Sequence, residues 1–283
     1  MKRTLPLLML AISCAIAGAA PPSAEAIKQF AEDYFAVRPS QALPKGMTQE
    51  EALQAQKDFV AKLIPKLGQP AGYKVGLVTK EAQQRFGLSS PVRGVLLSKM
   101  LLQDGAEVPM SFGGYPICEA DLVVVVKDAE INDAKTLLDV AQHLKEVVAF
   151  IELPDALIAT NQVMDAGLFT ASNVGARLGV LGERVPVKAT DEFIKAMADM
   201  TATLRDQTGA ELGKAQGKLI LGNPLNAVLW LIQDLARTGE KLRPGDMLSL
   251  GSLKAITPQA GQTITARYDG LPGGPIKATV RFR

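Results

Sequence analysis

A chain of 283 residues with 47% hydrophobic and 21% charged content holds enough apolar material for a buried core, and its composition is that of a soluble globular protein. A formal net charge of +2 gives no field for nucleic acid or an anionic membrane surface, so neither is expected as a partner. A single histidine, His143, excludes a zinc site built on several His ligands, and no phosphate-cradling G-x-x-x-x-G-K-[ST] loop occurs.

The chain opens with Lys2 and Arg3, an apolar run from Leu5 to Ala20, and Ala24-Glu25-Ala26. That order predicts a secretory signal peptide over residues 1–26, export to the periplasm, and no stable membrane span once it is cleaved. Cys14 leaves with the signal, so Cys118 remains alone and no internal disulfide is expected.

Residues 27–70 form the expected N-terminal helical segment and 71–283 the main domain. Helical texture extends over 25–68, with Ile27, Phe30, Tyr34 and Phe35 at helix spacing. Thr48-Gln49-Glu50-Glu51 resembles a capping box that opens a helix to about Leu67, kinked or ended by Pro65. Strands are predicted at Gly72–Leu77, Gly94–Leu97 and Ile117–Val126, the last with four consecutive valines that imply burial on both faces. A helix follows over Asp133–Glu146, then strands at Val147–Leu153 and Leu178–Gly182. Asp191–Met200 is helix or irregular excursion. Pro224–Thr238 is a helix with Asn223 as N-cap and Gly239 as stop. Met247–Leu250, Thr263–Tyr268 and Ile276–Phe282 complete the strands, giving an α+β chain rich in sheet.

Three carboxylates interrupt apolar strands. Glu119 and Asp121 stand two apart, so alternation puts both on one face, and Glu152 interrupts the Val147–Leu153 run. Adjacent buried carboxylates repel and lose hydration unless a cation joins them, which suits a hard ion with oxygen ligands. The alternative is that these acids are the solvent-facing positions of half-exposed strands. Lys74 also interrupts an apolar strand, as an active group or a snorkelling lysine.

Five segments in order resemble the 2-keto-4-pentenoate hydratase and 2-oxo-acid decarboxylase branch of the fumarylacetoacetate hydrolase superfamily. They are Gly72–Leu77, Glu119-Ala120-Asp121, Glu152, Leu221–Leu231, and Gly239–Asp246 running into Leu250-Gly251-Ser252. The resemblance implies a mixed β fold with a rolled central sheet, homo-oligomers, and a lyase of the hydratase type. Such an enzyme uses Mg²⁺ or Mn²⁺ on Glu119, Asp121 and Glu152, with Asp where the family has Glu. It acts on a small 2-oxo acid through a metal-stabilised enolate, with Lys74 as acid/base and Asn173, Gly251 and Ser252 on the substrate. The family's acid in P-D-F-G falls on Val92 of Pro91-Val92-Arg93-Gly94, and its D-N-A-S falls on Ser172-Asn173-Val174-Gly175. These departures keep open a 2-oxo-acid decarboxylase, or an exported 2-oxo-acid binding protein. Asp104 and Glu107 are candidates to replace the missing acid. Arg93 is expected as a surface loop cation, or as a grip on a carboxylate.

Overall fold

The structure, a computed structural model, describes residues 21–283. The predicted signal run to Ala20 lies outside the described residues. Helix α1 (Ala24–Phe35) is capped by Ser23, whose hydroxyl accepts from the Ala26 amide at 3.2 Å. Helix α2 (Gln49–Leu67) opens on the predicted reciprocal capping box of Thr48 and Glu51. The two are separate helices, because Pro39 and Pro44 lie between them and Val37 takes a left-handed φ of 53°. Pro65 lies inside the last turn of α2 and does not stop it; Gly68, at φ 83°, ends it.

The main body holds β1 (Pro70–Gly76), α3 (Lys80–Arg85), β2 (Val92–Leu97), β3 (Leu101–Gln103), β4 (Ala106–Val108), β5 (Cys118–Val126), α4 (Leu137–Gln142) and β6 (Leu144–Leu153). There follow α5 (Ala166–Ala171), β7 (Leu178–Pro186), α6 (Asp191–Asp199), β8 (Thr201–Arg205), β9 (Glu211–Gln216) and α7 (Leu225–Arg237). The chain closes with β10 (Met247–Ser249), β11 (Lys254–Ile256), β12 (Thr263–Asp269) and β13 (Ile276–Phe282). One curled eight-stranded sheet runs β2-β1-β10-β5-β6-β7-β3 with β11 added to β5, and a five-stranded sheet runs β4-β13-β12-β8-β9. This is the expected mixed, β-rich α+β fold with a rolled sheet behind a helical segment.

Alternation along β5 and β6 sorts the core. Ala120, Leu122, Val124, Ala149 and Ile151 face the large core shared with the five-stranded sheet and α7. Val123, Val125, Val148 and Phe150 face the other way, into a small cluster inside the curl. The four valines are thus buried on both faces, as expected. Helices α1 and α2 share a third cluster with β2 and α5, in which Phe30 and Phe59 stand 4.6 Å apart.

Several boundaries moved. The helix expected over 133–146 is only α4, since Thr136 and Asp139 cap it late and β6 captures Leu144 against Val126. Asp191–Asp199 resolves as helix α6. Helix α7 starts one residue later than predicted: Pro224 holds the cap position while the Asn223 side-chain Oδ1 accepts from the Leu225 amide at 3.0 Å.

Candidate functional site

Strand pairing brings the sequence-predicted groups together. Glu119 on β5 lies directly opposite Glu152 on β6, with Asp121 two residues along the same face. Strand β1 reaches them through β10: Lys74 pairs with Ser249, and Ser249 pairs with Val123. On the outer side Lys74 pairs with Gly94, where an added Cβ would stand 3.0 Å from the Lys74 Cγ. That glycine leaves room for the lysine stem.

The Lys74 ammonium forms an ion pair with the Glu152 Oε1, with both residues almost fully buried. Among the described residues no other donor reaches that oxygen, so the Lys74 ammonium is its partner. Glu119, half-buried beside it, has its carboxyl pushed up to about 8, by burial first and by the Glu152 charge second. Lys74 and the Ser252 hydroxyl oppose that shift. These acids are therefore not solvent-facing positions of half-exposed strands.

Asp121 differs. It is fully buried, and its carboxylate is occupied by the protein's own donors: the Ser249 hydroxyl at 2.6 Å, and the Leu122 and Gly251 amides at 2.5 and 3.0 Å. Burial, then the Glu152 charge, pushes its carboxyl up to about 7 against the pull of Ser249. Asp121 thus ties β5 to β10 and the turn after it. Asn173 is also engaged with backbone: its carboxamide accepts from the Val95 amide at 2.7 Å and donates to the Val95 carbonyl at 2.9 Å. Gly251 contributes its amide to Asp121 and is packed by Val78.

A cavity of about 420 Å³ opens over this pair. Lys74, Glu119, Glu152 and Ser252 line it, whereas Asp121, Asn173 and Gly251 do not. Its walls are largely hydrocarbon. Leu77, Leu157 and Val174 line it from left-handed backbone, at φ 57°, 52° and 54°. Such conformations cost non-glycine residues about 1–3 kcal/mol each and collect at functional sites. Phe86 and Phe169 form a ring pair at 5.3 Å on the wall.

One acid at the cavity was not foreseen. Asp155, just past β6, lines it, with its oxygens accepting from the Tyr115 and Leu157 amides at 3.0 and 2.8 Å. The only trace in the sequence was a Pro-Asp at a strand end. Asp104 and Glu107 do not replace the acid lost at Val92: Asp104 accepts from the Thr279 amide, and Glu107 pairs with Arg283 at 3.0 Å. Val92 is buried opposite Gly76 and brings hydrocarbon to that place.

Arg93 is neither a surface cation nor a grip on a ligand in this cavity. It lies one residue off Gly94, the partner of Lys74, and so points to the opposite face. There it is buried and paired with Asp234 of α7 and with Glu240 at 2.5 Å. His143 follows α4, with its Nδ1 2.6 Å from the Asp128 Oδ1, and does not line the cavity.

Among the described residues, no group of three or more His, Cys, Asp or Glu is gathered for a metal ion. The donor set facing the cavity is two carboxyl groups in register, Glu152 on the Lys74 ammonium and Glu119 beside it with its carboxyl pushed up chiefly by burial. That set fits a hard cation whose remaining positions are filled by water or ligand oxygens.

No family model matches the chain. It is 33% identical over 211 residues to the 2-keto-4-pentenoate hydratase of Burkholderia vietnamiensis, covering 74% of this chain and 77% of that protein. It is 28% identical over 264 residues to the TodF product hydratase of Pseudomonas putida, covering 93% and 96%. Among solved structures it resembles the 4-oxalocrotonate decarboxylase from Pseudomonas putida G7 complexed with magnesium and adipate. There the TM-score is 0.80 at 22% identity, over 92% of this chain and 97% of that one.

Proposed function

This chain belongs to the 2-keto-4-pentenoate hydratase family, and from that premise we propose that it is a divalent-metal-dependent hydro-lyase acting on a small unsaturated 2-oxo acid. The observation that carries this is the register of Glu119 against Glu152, with the Lys74 ammonium on the Glu152 carboxylate at the polar end of an apolar cavity. Its relatives are hydratases and a structure of the same fold is that of a decarboxylase, so the chain is an enzyme of the hydro-lyase or decarboxylase type, and we favour the hydro-lyase. A divalent metal accords with the magnesium in the decarboxylase structure of the same fold.

Glu119 and Glu152 would hold the ion, Mg²⁺ or Mn²⁺. When bound it supplies Lewis-acid polarisation of the 2-oxo group. Asp121 remains the third carboxylate of the set, and it joins only by releasing Ser249 or Gly251. Lys74 is the acid/base: its Nζ moves a proton to or from the substrate carbon skeleton, and Glu152 holds it in place. In hydration, water's oxygen bonds to one carbon of the double bond and a proton bonds to its neighbour, so nothing leaves. Ser252 faces the substrate carboxylate from the cavity wall. Asn173 and Gly251 serve by positioning: Asn173 fixes the edge of β2, and Gly251 fixes Asp121. The hydrocarbon walls keep bulk water from the reacting carbons, which sharpens every charge interaction inside.

The test is calorimetric titration of pyruvate or oxalate with Mg²⁺ or Mn²⁺ present, then with chelator. Binding that requires metal, and that is lost in both Glu119→Gln and Glu152→Gln, is the expected result. Metal affinity unchanged in both variants overturns the metal assignment, and full turnover in Lys74→Ala overturns the acid/base role.

Export and self-association belong to the same proposal. Ser23 caps α1, so a cut after Ala26 would remove that cap and the first turn, whereas a cut before Pro21 spares both. N-terminal sequencing of the secreted protein distinguishes the two, and sedimentation gives the subunit number.

A further inference from the structure

The cavity is much larger than a five-carbon acid requires. At about 420 Å³ it falls in the range that encloses ligands of drug size. The distribution of charge in it is one-sided. Lys74 is the one cation among its lining residues, and that ammonium is already committed to Glu152. No other Lys, Arg or His lines the described cavity, while Asp155 adds a third acid to Glu119 and Glu152. A second carboxylate on the substrate would enter a low-dielectric space with no partner and an acid already present, which is strongly unfavourable.

The walls point the same way. Leu77, Leu157 and Val174 hold hydrocarbon against the cavity from left-handed backbone, where glycine would sit without strain. The Phe86–Phe169 ring pair adds an aromatic face. Met164 supplies a flexible, polarizable surface that adapts to irregular tails.

We propose that this enzyme selects monocarboxylic 2-oxo acids with an extended aliphatic or aromatic tail, and rejects 2-oxo dicarboxylates of the same length. The inference rests on the proposed 2-oxo-acid site and adds the substrate class. The single carboxylate and the 2-oxo group sit at the polar end, by Lys74, Glu119, Glu152 and Ser252. The tail lies along the strained walls and the ring pair.

The experiment is calorimetric titration of a series into the full protein with Mg²⁺: pyruvate, 2-oxohexanoate, 2-oxooctanoate, phenylpyruvate and 2-oxoadipate. Affinity is expected to rise about fourfold per methylene buried along the straight-chain series. 2-Oxoadipate is expected to bind at least about tenfold more weakly than 2-oxohexanoate, the six-carbon acid lacking its second carboxylate. In Phe86→Ala the ratio of 2-oxooctanoate to pyruvate affinity should shrink. A flat series, or 2-oxoadipate bound as tightly as 2-oxohexanoate, overturns the selectivity. Pyruvate separates the two proposals. Metal-dependent pyruvate binding with a flat series leaves the 2-oxo-acid site standing and removes the tail preference. No metal-dependent binding of any member removes both.

Discussion

Replacing Lys74 with methionine keeps most of the aliphatic stem and deletes the ammonium. In the metal-free protein that ammonium is the counter-charge of Glu152, and the residues are 4% and 2% exposed, so solvent screens little of what is lost. Removing one partner of a buried pair strands the other, at about 3–5 kcal/mol. Glu119 stands directly opposite and brings no compensating positive charge. For a chain of this size that corresponds to a fall in Tm of about 6–20 °C. The Lys74→Met/Glu152→Gln double variant removes both charges and should recover most of the loss, since an uncharged pair in a buried site is tolerated. If Glu119 and Glu152 hold the ion, excess Mg²⁺ should raise the Tm of Lys74→Met more than that of the wild type, by replacing the missing cation. The assay is thermal unfolding of the three proteins with chelator and with Mg²⁺. A loss below about 1 kcal/mol in Lys74→Met, or a double variant no more stable than the single, would refute the reasoning that this pair is a buried charge balance.

With chelator present, the Glu119 carboxyl, raised from 4.5 to about 8, keeps a proton in the folded state that the unfolded chain releases. Its stabilising contribution is therefore whole below about pH 4.5 and lost as pH rises through about 8, and Glu119→Gln should flatten that part of a pH series of denaturant midpoints. Tyr268→Phe removes a buried hydroxyl that donates to the carbonyls of Asp121 and Phe150, bracing β5 and β6 behind the site. It should cost about 1–3 kcal/mol by chemical denaturation, and near-neutrality would show the hydroxyl to be dispensable. Thr48→Ala removes the capping-box oxygen of α2 and should cost about 1 kcal/mol, whereas Thr48→Ser should keep most of it.

What could be read in the sequence was set by contrast within strands. Lys74, Glu119 and Glu152 each break an apolar run, and a charged residue inside a buried strand marks itself wherever the chain curls. Helix α2 was legible because Thr48 and Glu51 cap it locally, and the valines of β5 because both faces are covered. The failures were non-local. Helices α3 and α5 span six residues each, too few for a periodic signal, although α3 with its cap Phe86 and α5 with Phe169 build the cavity wall. Strands β8, β9 and β11 exist because neighbouring strands recruit them. Asn173 was expected at the ligand from the family resemblance, and Asp121 from its place beside Glu119 on the strand and from the same resemblance. Their donors and acceptors are instead taken by Val95, Ser249 and Gly251, which are distant in sequence, and by the adjacent Leu122 amide.

Position 121 carries Asp where the family pattern has Glu, and its carboxylate is held within the sheet. A carboxylate on β5 can extend over the cavity or fold back on the sheet, and the length of the side chain decides which donors it meets first. At Asp121 the carboxylate meets the Ser249 hydroxyl and the Gly251 and Leu122 amides, so it stays beneath the surface. Glu119 and Glu152 are then left as the acids that reach the cavity beside Lys74. With Val92 supplying hydrocarbon where the family pattern has an acid, the proposed acid/base role rests on Lys74, the one basic side chain among the residues lining the cavity. Away from the polar end the cavity is lined mainly by hydrocarbon, with Asp155 as its one further acid. The proposed preference for an apolar tail rests on that lining, and the titration series with 2-oxohexanoate and 2-oxoadipate tests it.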